Sequence, residues 1–294
     1  MEHTTDGPID IVDSQVHLFH TTGVEGGIAA LNALGIRAAL LDEFWGYGEN
    51  GERRPGHALP NGVWRSTSPQ VEQACNLHQE RFSYLTVVDY LDPMMESRIQ
   101  LIAEAPLARA VRIGFSDGRP SRMRDLAEGR CRSFFGAAAK FDVPVFVLTT
   151  GRSDLLRPYI EEFSSLAFIV DHVGMARTEA QFEDVLRLAD FPNCYLKWCH
   201  AEGVFGSKRY PFPETAAPLR RAIDAFGAHR IMWASDFTMR MELSSWADRL
   251  YYIRESSDLT AEEKAWILGR TARKVLKWPT AEPTKSPTAT RKTM

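Results

Sequence analysis

Polar side chains follow closely on the first apolar run of the chain. The stretch IVDSQVHLFH (11–20) places Gln15 and His17 two residues apart, shortly after Asp13. Two histidines at this spacing would be good metal ligands, whereas a neutral amide is better suited to hydrogen-bonding a substrate carbonyl or a bound water. The stretch could therefore be a metal site, a metal site that has lost one ligand, or the end of a strand.

Ionisable side chains also mark the later apolar runs. Arg112 lies within ARAVRIGF, His172 follows FIVD, Lys197 lies within CYLKW, and Asp236 ends IMWASD. An arginine inside an apolar strand is costly unless it is paired. It could hold a substrate carboxylate in bidentate geometry or form an internal ion pair with Asp89 or Asp13, and the lysine carries the same ambiguity.

Four of these residues also have a purely structural interpretation. His17 could be a hydrogen-bonded core histidine, and Gln15 could tie a strand end to a loop. His172 could be a turn residue, and Asp236 could cap the next helix. Their convergence at the ends of separate apolar runs favours a shared functional site.

The elements that would position these residues recur along the chain. Eight short apolar runs alternate with segments of helical periodicity; the runs span residues 9–13, 36–42, 82–89, 108–115, 143–150, 166–171, 194–198 and 230–236. Continuous apolar runs are typical of strands covered on both faces. The eightfold alternation predicts an α/β fold, a (β/α)8 TIM barrel with extra C-terminal helices, in which catalytic residues lie at the C-terminal strand ends. A doubly wound open sheet is the main rival, but no G-x-G-x-x-G follows the first strand.

Two segments fall outside this rhythm. Residues 44–67 form a long predicted loop after the second strand, rich in Gly, Pro and aromatic residues. Its Trp45, Tyr47 and Trp64 could line the wall of an apolar substrate site or pack on one another. We therefore predict a single barrel domain over residues 1–278 and a disordered Pro/Thr/Lys-rich tail over 279–294.

Composition excludes several classes of partner. The net charge is −3 and no basic stripe is present, so neither nucleic acid nor an anionic membrane is expected. No apolar run approaches the roughly 18 residues of a membrane span, and the N-terminus lacks a signal-peptide core. The four cysteines form no C-x-x-C pair, which favours free thiols and a cytoplasmic location. A small-molecule substrate and a second copy of the chain, as a homodimer, are the expected partners.

The motifs VDSQVHLF, FIVDHVG, CYLKW and IMWASDF resemble, in order and spacing, the amidohydrolase superfamily. More narrowly, they resemble the amidohydrolase-2 group, which includes sugar lactonases, pyrone-dicarboxylate lactonases and related decarboxylases. The resemblance implies a barrel whose site uses a first-strand H-x-H, a sixth-strand His and an eighth-strand Asp. These positions correspond to Gln15 and His17, His172, and Asp236. The fifth-strand metal-binding His of many members has no counterpart here.

The resemblance implies a hydrolase that opens a small carboxylated or hydroxylated lactone, or a related cyclic ester or amide. Asp236 would activate water while His17 and His172 polarise the carbonyl, either directly or through one zinc or manganese ion held by these three residues. The predicted substrate-binding residues are Gln15, Arg112, Lys197, Trp45 and Tyr47. Alternatives are a decarboxylase, lyase or isomerase acting on a cyclic acid or natural-product intermediate, and a non-catalytic binding barrel.

Overall fold

A central sheet of eight parallel strands organises the protein in a computed structural model. The structure describes residues 9–18, 22–48, 51–115, 120–237 and 244–280, without the side chains of 46–48, 51–53 and 120. In chain order, the strands in these ranges are β1 (Ile11–Val16), β2 (Ile36–Asp42), β3 (Gly46–Gly48), β4 (Gly51–Arg53), β5 (Gly56–Ala58), β6 (Trp64–Ser66), β7 (Phe82–Val87), β8 (Ala108–Phe115), β9 (Val145–Thr149), β10 (Phe168–Val170), β11 (Cys194–Trp198) and β12 (Ile231–Trp233).

Helices connect the strands of the central sheet and continue after the last one. They are α1 (Gly23–Leu34), α2 (Pro69–Leu77), α3 (Met95–Glu104), α4 (Pro120–Ala127), α5 (Arg132–Lys140), α6 (Arg157–Glu162), α7 (Glu179–Arg187), α8 (Ala201–Val204), α9 (Ala216–Phe226), α10 (Trp246–Arg254), α11 (Ala261–Ala265) and α12 (Thr271–Val275). Across the described ranges, none of the helices combines the length and apolar character needed to cross a bilayer.

The sheet curls into a (β/α)8 barrel, which confirms the predicted fold. Its strands follow in the order β1-β2-β7-β8-β9-β10-β11-β12, and every neighbouring pair is parallel. The two ends meet where Val16 forms a parallel bridge with Phe237 and the Ser14 hydroxyl donates to the Trp233 carbonyl at 2.6 Å. Each of the eight predicted apolar runs overlaps one barrel strand, so their C-terminal ends share one face.

The segment after β2 is more ordered than the predicted long loop. Within 44–67, β3 pairs antiparallel with β4, and β5 pairs antiparallel with β6. Gly56 makes the second ribbon possible, because a Cβ at this position would lie 2.1 Å from the Arg65 carbonyl oxygen. Short antiparallel ribbons satisfy backbone groups that a structureless loop would leave to water. Of the predicted disordered tail, residues 281–294 lie outside the described residues.

An apolar cluster fills the barrel end opposite the polar strand ends. Val12, Leu40, Phe146 and Met232 are fully buried there, and Trp278 packs against the same cluster. The four cysteines are free and buried, as the sequence predicts. Because this end is packed with apolar side chains, the polar side chains converge at the other end.

A close approach between the C-terminal helices and β1 provides a test of the closed barrel. Gly269 lies in a π-helical turn before α12, and a Cβ there would sit 1.8 Å from the Asp10 carbonyl oxygen. Gly269→Ala should therefore lower the free energy of unfolding by about 2 kcal/mol or more through overpacking. The measurement is urea unfolding followed by circular dichroism.

Gly136→Ala is the matched control for this substitution. Gly136 lies inside α5, and a Cβ there would meet no atom closer than 3.6 Å. Helix propensity should make this variant equal to or more stable than wild type by up to about 1 kcal/mol. Equal stability of the two variants would contradict the close contact at Gly269.

Candidate active site

The barrel brings the predicted polar residues to its C-terminal strand ends. Each of them lies on a barrel strand or within three residues of its C-terminal end, and each is buried; they are Gln15, His17, Arg112, His172, Lys197 and Asp236. Strands β1, β8, β10, β11 and β12 therefore contribute to one polar cluster. These are the residues that a site over a packed barrel would use.

Asp236 is held between two imidazoles. Its Oδ1 lies 2.8 Å from His17 Nε2, and its Oδ2 lies 2.7 Å from His200 Nε2. His172 Nε2 is farther away, 3.9 Å from the same Oδ2. Burial would raise the pKa of Asp236, but these histidines, His17 above all, hold it well below its usual range. The carboxylate is therefore ionised at neutral pH.

His17 and His172 differ in charge state. Burial lowers the pKa of His17, but the Asp236 and Asp42 carboxylates outweigh it and raise the pKa above the ordinary histidine value. Burial dominates at His172 and holds its pKa well below that value. His172 Nε2 accepts a hydrogen bond from Arg112 Nη2 at 2.9 Å. The site thus pairs a histidine that favours the cationic form with one that stays neutral.

A buried ion-pair network lies beside these histidines. Arg112 donates to Asp42 at 2.8 Å and to Asp171 at 2.7 Å. Lys197 also pairs with Asp171, and Arg54 with Asp42. Burial opposes ionisation of Asp42, but Arg54, His17 and Arg112 lower its pKa to about 2. Three basic side chains and two carboxylates therefore meet beside the histidines.

Gln15 links this network to the first strand. Its amide nitrogen donates to Asp42 Oδ2 at 3.1 Å, and its Oε1 accepts a hydrogen bond from the Lys197 ammonium. An ammonium group therefore lies against the side chain that stands where the family has a histidine. Metal chemistry does not fit Gln15, because a cation already occupies its oxygen.

Among the described contacts, neither Trp45 nor Trp64 touches the polar cluster. Trp45 is 49% exposed, and its indole donates to Glu43 Oε1 at 3.2 Å. Glu43 in turn accepts hydrogen bonds from the first backbone N–H groups of α2. The side chain of Tyr47 lies outside the described residues, and Trp64 is half exposed. Substrate binding by Trp45 and Tyr47 therefore stays a prediction.

Sequence reasoning assigned no role to His200 and Cys199. Both follow β11, and His200 has a left-handed backbone (φ 54°). His172 (φ 51°) and Asp236 (φ 50°) have the same conformation, which L residues rarely adopt. Such backbone strain clusters at functional sites. The histidine two residues past CYLKW was the available signal for His200.

These strand ends contain a candidate metal-binding group. One donor atom from each of its members lies within 4.8 Å of all the others; the members are His172, Cys199, His200 and Asp236. Nitrogen, sulfur and carboxylate oxygen are the donors that zinc prefers, so the residues present fit such an ion. Below, these four residues are called the donor group. It shares His172 and Asp236 with the predicted metal set but not His17.

The sequence belongs to the amidohydrolase family. A family model described as Amidohydrolase matches residues 12–278, almost the whole chain. No curated protein matches the sequence.

Solved structures show the same fold at low sequence identity. An amidohydrolase from Burkholderia multivorans with bound zinc is 17% identical, with a TM-score of 0.70 over 92% of this chain and 100% of that one. A probable 2-pyrone-4,6-dicarboxylic acid hydrolase from Acinetobacter baumannii with citric acid bound is 14% identical, with a TM-score of 0.65 over 92% and 100%. A 5-carboxyvanillate decarboxylase from Novosphingobium aromaticivorans with bound manganese is 18% identical, with a TM-score of 0.60 over 85% and 80%.

The Asp13 side chain links the first strand of the barrel to the segment that follows the last strand. Its carboxylate accepts hydrogen bonds from the Ser235 backbone at 2.9 Å and from the Trp246 indole at 2.8 Å. Burial raises its pKa to about 6, despite these donors. An aspartate whose pKa is raised on folding binds its proton more tightly in the folded chain. It therefore favours folding at low pH, and this contribution is lost as the pH rises from 3.8 to about 6.

Asp13→Asn removes this titration. The unfolding free energy of the variant minus that of wild type should rise by about 2 kcal/mol between about pH 4 and pH 7, then level off. Urea unfolding across this pH range measures the difference, and the slope isolates Asp13 because the other carboxylates cancel. Parallel stability curves would contradict a raised pKa.

Proposed function

We propose that this protein hydrolyses a small lactone that carries a carboxylate. The observation that carries the proposal is the ionised Asp236, held by His17 and His200 beside an ion-pair network that contains three basic side chains. A carboxylate at the end of the last strand can receive a proton from water. The adjacent imidazoles and cations can stabilise the charge that develops on a carbonyl oxygen.

Asp236 acts as the base in this mechanism. In the resting site its pKa is low, because His17 and His200 donate hydrogen bonds to it. When His17 turns its charge toward the substrate carbonyl, Asp236 loses part of that stabilisation and its proton affinity rises. The carboxylate then takes a proton from water as the water oxygen bonds to the carbonyl carbon.

The ring then opens by breaking the bond between the carbonyl carbon and the ring oxygen. His17 and His172 hold the oxyanion of the tetrahedral intermediate. As the oxyanion collapses, the ring oxygen leaves and takes the proton from Asp236, which yields a hydroxy acid. The donor group would hold a divalent ion, which would supply Lewis-acid polarisation of the carbonyl.

The basic side chains of the site favour an anionic substrate. Arg54, Arg112 and Lys197 meet at Asp42 and Asp171, where a substrate carboxylate would find cationic partners. Arg112 is the proposed anchor, since its planar guanidinium can share a second carboxylate in bidentate geometry. A hydrolase whose name specifies a dicarboxylic acid shares the fold.

Decarboxylation of a cyclic acid is the second candidate. The raised pKa of His17 favours it, because a protonated imidazole could deliver a proton to carbon as CO2 leaves. A decarboxylase shares the fold. Turnover in 18O-labelled water separates the two reactions, since only hydrolysis places solvent oxygen in the product. Release of CO2 without 18O incorporation would replace the first proposal with the second.

Asp236→Asn tests the base. An amide cannot accept the proton, so kcat on a carboxylated lactone should fall by about a thousandfold, with little change in KM. Ring opening followed with a pH indicator measures the rate.

Asp89→Asn is the control for Asp236→Asn. Asp89 also follows a barrel strand, but it pairs with Arg122 outside the cluster. The control should keep wild-type kcat. Full activity of Asp236→Asn would exclude this mechanism.

Arg112→Lys tests the carboxylate anchor. The substitution keeps the charge but loses the planar fork, so KM for a carboxylated lactone should rise about tenfold. KM for a neutral lactone of the same ring size should hardly change. An equal fall of kcat on both substrates would instead make Arg112 a positioning residue for His172.

A further inference from the structure

We propose that the protein binds one zinc-like cation through the donor group at the ends of β10, β11 and β12, with the Cys199 thiolate as a ligand. The donor group is His172, Cys199, His200 and Asp236. This proposal moves the metal away from the first strand, to which Gln15 and His17 belong. It concerns binding of an ion and does not depend on lactone hydrolysis.

Geometry gives the first argument. His200 Nε2 and His172 Nε2 lie 2.7 and 3.9 Å from Asp236 Oδ2. The edge of a tetrahedral zinc site is about 3.3 Å for nitrogen and oxygen ligands, as zinc–ligand bonds of about 2.0 Å require. These two distances bracket that edge. With Cys199 included, the donor atoms lie up to 4.8 Å apart. They would have to move about 1 Å closer together to reach zinc-site spacing.

The tautomer of His172 gives the second argument. Arg112 can only donate, so His172 Nε2 carries a lone pair and its Nδ1 carries the proton. The Nδ1 atoms of His172 and His200 are buried, and neither has a hydrogen-bond partner among the described residues. The Nε2 atom of His172 contacts Arg112, and the Nε2 atom of His200 donates to Asp236. Binding a cation through these atoms would displace the Arg112 contact and the His200 Nε2 proton. Arg112 would give up its contact with His172 and keep its ion pairs with Asp42 and Asp171.

Charge gives the third argument. A divalent ion bound by one carboxylate, one thiolate and two neutral imidazoles forms a neutral unit, which suits a buried position. The Cys199 thiol is buried and would lose its proton on binding a metal, because the thiolate is the form that ligates. Thiolate ligation selects zinc-like ions over magnesium or calcium.

A metal ion fits less well on the first-strand side, around Gln15 and His17. Lys197 donates to Gln15 Oε1 and pairs with Asp171, so an ammonium group lies where a cation would have to bind. His17 uses Nδ1 for the Asp42 carbonyl at 2.9 Å and Nε2 for Asp236. A metal at this side would meet the lysine at close range. At the donor group, Arg112 contacts His172 Nε2 and would have to move away, but its ion pairs with Asp42 and Asp171 already hold it.

Cobalt titration of the full chain tests the proposal. The protein is stripped with a chelator and titrated with Co2+, and absorption is recorded. We expect one equivalent to bind with the visible bands of four-coordinate cobalt and a near-ultraviolet thiolate-to-cobalt charge-transfer band. Absence of binding, or binding without the thiolate band, would overturn the proposal.

Two pairs of variants locate the ligands. Cys199→Ser should lose the thiolate band, whereas Cys194→Ser, a buried cysteine on β11 outside the donor group, should keep it. His200→Ala should weaken Co2+ binding by about a hundredfold or more, since even outer-shell partners contribute ten- to a hundredfold. His17→Ala should keep the spectrum.

The opposite results would return the metal to the first strand. A band that survives Cys199→Ser, or one lost in His17→Ala but kept in His200→Ala, excludes the donor group. Circular dichroism confirms that each variant is folded before titration, and the wild-type spectrum decides the question if a variant is not. Because absorption is read rather than turnover, failure here leaves the lactonase proposal intact, and the reverse also holds.

Discussion

Pairing of buried charge is the constraint on which this site depends. Asp42, Arg112, Asp171 and Lys197 come from four different barrel strands or strand ends, and each lies where water is largely excluded. Removing one charged side chain from such a network leaves its partner's charge uncompensated, which is strongly destabilising. The network therefore fixes how these strands are placed relative to one another. It also sets the field in which His17, His172 and Asp236 titrate.

Gln15 is explained by this constraint. Its amide donates to the Asp42 carboxylate and accepts from the Lys197 ammonium at the same time. A neutral histidine could also donate and accept, but its two nitrogens lie on a rigid ring, whereas the amide offers both functions at the end of a flexible side chain. A cationic histidine would face the ammonium with like charge. The amide is thus a component of the ion-pair network rather than a weakened metal ligand.

The sequence allowed the barrel and the convergence of polar side chains at its strand ends to be predicted, because both depend on local patterns. Each apolar run became a strand, and polar residues at strand ends met at one face, as in Gln15, His172 and Asp236. Arg112 pairs with Asp42 and Asp171 rather than with Asp89 or Asp13, the partners that the sequence suggested, because the pairing depends on side-chain directions across the barrel. The contact between His200 and Asp236 was not predicted. It depends on the left-handed backbone of His200, which no sequence pattern indicates.

The two halves of the site can therefore divide the chemistry. In one half, the permanent cations are held by Asp42 and Asp171, which suits recognition of an anion. In the other half, His172, His200 and Cys199 lie close to the Asp236 carboxylate, which suits proton transfer or a bound cation. His17 joins the halves, since it contacts the Asp42 carbonyl and the Asp236 carboxylate. A change in the charge of His17 would be felt on both sides, which makes it the point where substrate binding can alter the basicity of Asp236.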